Sequence, residues 1–465
     1  MQKYLNKIKK LIPKKLFKAL QPVYHFLLSG VSAVVYGRPS DELIVIGVTG
    51  TTGKTTTVYL IAKMLQSCGY KVGYTSTAMF HDGEKEWIND KKMTMLGRFF
   101  TQKIMRTMVK NGCHFAIIET SSEGIRQFRH QFINYDILVF TGLYPEHIES
   151  HGSFEKYRQA KEKLFAHLKT CSTKYVSEDW RVIKPQSELQ KTELKRIKKT
   201  TVINADDENA HYFTAYSCEE RVLLTKNKHN PLIKGKDRLL VYGNIEASRL
   251  GTSFELQNEK IYLALLGAFN VTNAMFAIGV GSALGLDRKK LYDSLAKING
   301  VPGRLEKIET GQDFTVIVDY AFEPKALKKL FETISLFPHN RVISVIGSAG
   351  GGRDIARRPK LGEISGTEAD IVIVTNEDPY DDDPKTIIDQ VSLGAEKAGK
   401  KLNDNLYKIL DRRQAIIKAI DLARPDDIVL ITGKGSEQAI CVADGKMIPW
   451  DDRQEAREAI KKKSD

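Results

Sequence analysis

The stretch that decides the fold is IVIGVTGTTGKTTTVYLIAKML, residues 44 to 65. An apolar run breaks into glycines and threonines, reaches Gly53-Lys54-Thr55-Thr56, and passes into an apolar-periodic segment. A strand, a glycine-rich turn and a helix in that order aim backbone N–H groups and the positive helix end at phosphate oxygens. In this reading Lys54 neutralises the β- and γ-phosphates of a nucleotide and the Thr55 hydroxyl ligates Mg²⁺. Thr49, Gly50, Thr51, Thr52, Gly53 and Thr56 complete the loop. The standard spacing asks for Gly five residues before Gly53, where Val48 stands and Gly47 lies one place early. A strand-turn-helix corner with chance glycines is the plain alternative, and the position between a strand and a helix argues against it.

Working outward, LIVIGV, HFAIIE and YDILVF read as buried parallel strands, since each is a short, nearly continuous apolar run. Helix-period segments lie between them, closed by Gly69 and Gly112. Residues 174–265 are more polar, with shorter runs (TTVINADD, RVLLT, RLLVYG, KIYLALLG), and suggest a small antiparallel sheet. Gly and Pro interrupt the pattern at INGVPGRLE, 298–306. Beyond it a second alternation runs from FTVIVDYA through RVISVIGSAGGG and IVIVTNED to DIVLITGKG. That is a second open α/β sheet, whose ligands belong at the C-terminal ends of its strands. The expected organisation is a basic and apolar segment over 1–42, an ATP-binding domain over 43–299 and a second α/β domain over 300–465.

At 465 residues, 42% hydrophobic and 28% charged, the chain has the composition of a globular protein of two or three domains. The net charge of +14 is spread along the chain, which suits either anionic small molecules or a solubilising surface. No nucleic-acid signature with interleaved aromatics is visible, so no nucleic-acid partner is expected. The five cysteines are scattered without a C-x-x-C pair, which argues against a disulfide framework or zinc site and fits a cytoplasmic protein. Residues 23–37 (VYHFLLSGVSAVVYG) are too short a run to span a bilayer. They suit either a weak contact with an anionic membrane surface or a helix packed on the domain behind it.

From the loop variant TGTxGKTT onward, the chain resembles the Mur ligase family, MurE type, over nearly all its length from residue 44. Members of that type are ATP-dependent ligases that add the third amino acid to UDP-N-acetylmuramoyl-dipeptide in peptidoglycan synthesis. The resemblance implies an α/β, Mur-ligase-like fold: a central P-loop parallel-sheet ATPase domain with a small antiparallel sheet, then a Rossmann-like C-terminal domain. It also implies an N-terminal domain gripping the uridine nucleotide, of which the first 43 residues show no pattern.

IIETSSEGIRQFRH (117–130) resembles E-V-S-S-H-G-L-x-Q-x-R, with Glu123 in place of the His. The match implies Glu119 as a Mg²⁺ ligand, and Ser121, Gln127 and Arg129 as holders of the UDP-linked muramoyl peptide. A carboxylate suits a hard cation and Arg an anionic substrate. EHIESHGSFEKYRQAKEKLF (146–165) resembles D-H-L-D-Y-H-G…A-K-x-x-L-F. It implies His147 as a ligand of a second Mg²⁺ and Lys161 as the family's carbamylated lysine, bridging to the metal. A carbamate forms only on a neutral amine, so Lys161 must sit where its pKa is lowered; a solvated helix lysine is the alternative. In KKMTMLG (91–97), at the place of M-T-T-P, Thr94 is kept for substrate while Met95 and Leu96 depart. LGAFNVTNA (266–274) implies Asn270 on the adenine side, with a helix-capping Asn as the rival reading.

In the second sheet GRLE (303–306) places Arg304 near the ATP phosphates. VDYAFEP resembles V-D-Y-A-H-x-P, keeping Asp319 for the ribose with Phe322 for His, and Lys325 within reach of a phosphate. GGGRDIARRP (350–359) carries over Arg353, and TGKGSEQ (432–438) carries over Gly433 and Glu437, with Ser436 for His. Where diaminopimelate-adding members have D-N-P-R, this chain has Glu377-Asp378-Pro379-Tyr380, so Asp378 and Tyr380 face the free amino acid. Losing a bidentate Arg disfavours diaminopimelate. The run Asp381–Asp383 favours a basic side chain such as lysine, or is a helix N-terminal charge cluster before Pro384.

The implied chemistry is ATP- and Mg²⁺-dependent amide formation through an acyl phosphate by a monomeric enzyme, with Lys54, Lys161, His147 and Arg304 as the catalytic set. The alternatives are a related ligase with a folylpolyglutamate-like or amino-acid-polymer acceptor, and a non-catalytic nucleotide switch, which the replaced histidines would suit.

Overall fold

The computed structural model of the chain describes residues 14–146, 148–352 and 355–464. His147 and Arg353, both expected at the site, lie outside the described residues. Helix α1 (Lys14–Val35) comes first, followed by β1 (Ile44–Thr49), buried at every position. Then come α2 (Lys54–Ser67), β2 (Val72–Thr75), β3 (Met79–His81), β4 (Glu86–Ile88) and α3 (Arg98–Lys110). The helices end as their glycines require, with Gly69 at φ 93° and Gly112 at φ 73° just beyond them.

The chain continues through β5 (Phe115–Glu119), α4 (Ser122–Arg126), β6 (Ile137–Phe140) and α5 (Phe154–Leu168). Strands β7 (Thr200–Asn204), β8 (Glu220–Thr225), β9 (Arg238–Ser248), β10 (Gly251–Leu256) and β11 (Glu259–Leu263) follow, then α6 (Phe269–Leu284). These eleven strands form one sheet in the order β11-β10-β9-β8-β7-β6-β1-β5-β2-β3-β4. Side chains alternate between its faces: Ile46, Val48 and Val139 pack in one core layer, Val45, Leu138 and Phe140 in the other.

The 174–265 region, read as adding a small antiparallel sheet, does supply antiparallel pairs, but two of its runs go elsewhere. TTVIN and RVLLT pair in parallel with β6 and with each other, extending the central sheet. Within this region the β9-β10 and β10-β11 pairs are antiparallel, at one edge of the sheet, as β2-β3 and β3-β4 are at the other, while residues 174–197 supply a separate three-stranded antiparallel sheet. Short apolar runs look alike whether they close a large sheet or start a small one.

The second sheet begins at β12 (Glu306–Ile308) and β13 (Thr315–Asp319), followed by α7 (Pro324–Ile334), β14 (Val342–Ile346) and α8 (Arg357–Glu368). It continues through β15 (Ile371–Thr375), α9 (Pro384–Lys397), β16 (Leu406–Ile409), α10 (Arg412–Leu422) and β17 (Ile428–Thr432). The order is β12-β13-β17-β14-β15-β16, with only β12 antiparallel. Helices cover both faces, as a parallel sheet requires. The C-terminal ends of both sheets face a shared cleft of about 1520 Å³.

Candidate active site

Strand register places the first functional groups. Val48 lies opposite Glu119, so that carboxylate leaves β5 level with the loop that follows β1. Glu119 is buried; one oxygen accepts from Thr55 Oγ1 at 2.9 Å and from Thr77 N at 2.7 Å, the other from Thr77 Oγ1 at 2.9 Å. The loop itself turns at Gly53, whose φ is 78° and where a Cβ would come within 2.6 Å of Asn273 Oδ1. Glycine there is a requirement of both backbone and packing. Lys54 Nζ donates to Thr51 O at 2.7 Å, folded back along the loop.

Lys161 projects from α5 into the interior. It is 1% exposed, and its ammonium donates to Gly50 O at 2.7 Å. That removes the solvated-lysine alternative. Burial, with Lys54 nearby, holds its pKa well below the ordinary lysine range, against the pull of Glu146 and Glu119. Thr49 ends β1 fully buried, and Gly50 is reached only through its carbonyl; neither lines the cleft, whereas Thr51 through Thr56 do.

Arg304 crosses from the second sheet: one guanidinium nitrogen lies 3.4 Å from Thr55 Oγ1, and the group stacks 4.2 Å from the Tyr320 ring centre. Asp319 is buried, and its oxygens accept from the N–H groups of Leu305 and Ala321 at 2.7 Å each. Burial raises its pKa despite Arg304 and those two bonds. Asn270 lines the cleft from the first turn of α6, but its side chain donates back to Leu266 O at 2.8 Å and caps nothing.

Thr94, Ser121 and Arg129, the residues expected to hold the acceptor, line the cleft, with Ser121 also capping α4 through Gly124 N at 3.1 Å. Gln127 does not line it. Its amide donates to Glu123 and its oxygen accepts from Arg129 Nη2 at 2.7 Å, so it acts as a brace for Arg129. Glu123, in place of the expected His, accepts from Gln127 Nε2 at 2.7 Å and so supports the brace.

Asp378, Tyr380, Gly433 and Glu437 also line the cleft. Asp378 and Glu437 are already matched by two ammonium groups. Lys434 Nζ lies 2.9 Å from Asp378 and 2.8 Å from Glu437, while Lys92 Nζ, from the central sheet's side, lies 2.7 Å and 3.0 Å from the same pair. Burial pushes both carboxyls up, but the two lysines outweigh it and hold them below their usual range. The acidic run is structural at each position: Asp383 caps α9 through Thr386 N at 3.1 Å, Asp382 pairs with Arg358 at 3.2 Å, and Asp381 accepts from Asp444 N at 3.0 Å.

Three groups escaped the sequence reading. Lys92 lies within KKMTMLG, where only Thr94, Met95 and Leu96 carry a reading. Glu377 is 4% exposed, lines the cleft beside Gly433, and keeps one oxygen without a hydrogen-bond partner among the described residues. Burial raises its pKa, and Asp378 adds to that. Arg357 is 5% exposed with Nε and Nη2 unpartnered among the described residues, its guanidinium 5.4 Å from the Phe322 ring centre.

A phosphate loop on one α/β sheet, facing a second α/β sheet that contributes an arginine to it, defines a two-unit nucleotide-dependent enzyme. The Mur ligase middle domain model matches residues 48–195, and the Mur ligase glutamate ligase domain model matches residues 303–435. The chain is 36% identical over 441 residues to a UDP-N-acetylmuramyl-tripeptide synthetase of Roseiflexus sp. (strain RS-1), covering 93% of this chain and 81% of that one. It is 32% identical over 437 residues to a UDP-N-acetylmuramoyl-L-alanyl-D-glutamate–2,6-diaminopimelate ligase of Caldanaerobacter subterraneus subsp. tengcongensis, covering 93% and 81%. A solved UDP-N-acetylmuramoyl-L-alanyl-D-glutamate–2,6-diaminopimelate ligase superposes with a TM-score of 0.56 at 28% identity, over 91% of this chain and 79% of that one. Mycobacterium tuberculosis folylpolyglutamate synthase complexed with ADP shares the fold, with a TM-score of 0.63 at 17% identity, over 88% and 91%. The chain belongs to the Mur ligase family, and it is an ATP-dependent ligase that forms amide bonds.

Proposed function

We propose that this chain adds the third amino acid to UDP-N-acetylmuramoyl-dipeptide in peptidoglycan synthesis, as the names of its relatives suggest. The observation that carries the reading is the convergence of Lys54, Thr55, Glu119, Lys161 and Arg304 around one loop at the mouth of the shared cleft. Residues 43–299 serve as the ATP-binding domain and residues 300–465 as the amino-acid-binding domain.

The donor set fits Mg²⁺: a hydroxyl and a carboxylate are the hard oxygens that ion takes. Thr55 and Glu119 would hold it, and bound there it would offset charge on the ATP phosphates. Lys54 and Arg304 bring positive charge to the γ-phosphoryl group as it moves to the acceptor carboxylate. Ser121 and Arg129 hold the acceptor, and the incoming amine then displaces phosphate from the acyl phosphate. Burial lowers the Lys161 pKa and so favours the neutral amine, the form that takes up CO₂ as a carbamate and would place an anion beside the loop.

The third residue is a basic amino acid such as lysine, received by Glu377 rather than by the Asp381–Asp383 run, whose three carboxylates are engaged. Tyr380 stands where a carboxylate-gripping Arg would be needed for diaminopimelate.

The test is phosphate release from ATP with UDP-N-acetylmuramoyl-dipeptide and a panel of amino acids. Release that needs both the dipeptide and a basic amino acid, giving a product heavier by that residue, supports the reading. Silence across the panel with ATP still bound refutes it in favour of another acceptor. Lys54→Ala should abolish release without unfolding the chain.

A further inference from the structure

Helix α1 carries a row of exposed large apolar side chains with nothing covering it among the described residues. Leu20, Val23, Leu27, Val31, Val34 and Val35 are each 51–64% exposed, and Tyr24 is 48% exposed beside them. Their spacing of three and four residues puts them on one face of the 22-residue helix. The opposite face is fixed to the body. Ser29 Oγ donates to Phe128 O at 2.9 Å, and Phe26 meets the Phe132 ring at 5.1 Å between centres. Arg98 Nη2 reaches both His25 Nδ1 at 2.9 Å and Gln127 O at 3.0 Å. Among the described residues the apolar stripe is therefore held on the side of the helix away from the body.

The charge along the same segment points to the occupant. Residues 1–40 contain seven lysines and Arg38 and no acidic residue. The first two acids, Asp41 and Glu42, are taken by Asn134 Nδ2 at 3.0 Å and Arg106 at 2.8 Å. A second copy laid on the stripe would therefore meet basic sequence with no acid left to match it. No helix among the described residues is long and apolar enough to cross a membrane. An apolar stripe preceded by clustered lysines is the design of a helix that lies in the plane of an anionic bilayer surface.

We propose that α1 is a docking surface for anionic lipid bilayers, with the stripe entering the headgroup boundary and the lysines of the preceding sequence meeting the lipid charge. The test is co-sedimentation of the full chain with vesicles of phosphatidylcholine, with and without phosphatidylglycerol. Binding is expected only with phosphatidylglycerol, weakening as salt rises. L27E/V31E should lower it at least about tenfold, with thermal unfolding unchanged because both positions are exposed. K9E/K10E should lower it by about fivefold or more per lysine. Failure to bind phosphatidylglycerol vesicles overturns the proposal. So does equal binding by L27E/V31E, or a wild-type dimer in sedimentation velocity that the same substitutions disperse, which would assign the stripe to a second copy.

Discussion

Replacing Lys92 with methionine tests how the two α/β units are joined. Lys92 Nζ makes charge-assisted bonds to Asp378 at 2.7 and 2.9 Å and donates to Ala439 O at 2.8 Å, with Glu437 at 3.0 Å. The side chains of the cluster are 0–14% exposed, and its two ammoniums balance its two carboxylates. Removing one ammonium leaves two buried carboxylates sharing Lys434. Breaking a buried pair in this way costs about 3–5 kcal/mol, because the surviving charge is uncompensated. At 1.4 kcal/mol per decade, that is roughly a thousandfold in the equilibrium holding the units together. The variant should melt in two resolved calorimetric steps, with the second unit's transition lower by about 10 °C.

Acid should mimic the substitution. Asp378 and Glu437 titrate below their unfolded values, so their contribution is full above about pH 4.5 and fades as pH falls through the depressed values. A single unchanged melting transition in Lys92→Met, with a shift under about 2 °C, would refute the reasoning, since it would mean that the cluster carries under about 1 kcal/mol.

Lys161→Met should stabilise the fold, by more at pH 7 than near pH 10.5: the native lysine binds its proton less tightly than the unfolded one, so wild-type stability falls as pH drops from that value. Denaturant titrations at the two pH values check this, and the same variant should be inactive and indifferent to bicarbonate. Glu377→Gln should leave stability within about 0.5 kcal/mol, because no internal bond is lost at the unpartnered oxygen. It should raise the amino-acid KM about tenfold or more, the worth of one charge-assisted bond, with kcat less affected in steady-state assays. Gly53→Ala should abolish ATP binding in a nucleotide titration, since the added Cβ meets Asn273 Oδ1 at 2.6 Å on a backbone already at φ 78°.

Local order carried most of the fold into the sequence. The phosphate loop, its helix, and the alternating runs after residue 300 are each contiguous, so period and punctuation suffice to read them. Thr55, Glu119 and Arg304 were legible through motifs, although their proximity depends on strand register and on the meeting of two sheets. What stayed hidden depends on distant partners. Lys92 earns its role from residues 286 and 345 positions away. Asp381–Asp383 reads as an acidic patch until the helix cap, Arg358 and the Asp444 N–H consume it one carboxylate at a time. β7 and β8 were misassigned because nothing in five or six apolar residues says which neighbour they will pair with.

The seat of α1 on the loop over 127–132 has one more consequence. That loop carries Gln127, which braces Arg129, while Phe128 and Phe132 touch the helix on its other side. Anything that shifts the helix shifts the loop. By thermodynamic reciprocity, whatever α1 binds must change affinity at Arg129 by the same factor that a ligand at Arg129 changes affinity at α1. The helix is thus packed on the same loop that sets Arg129 into the cleft.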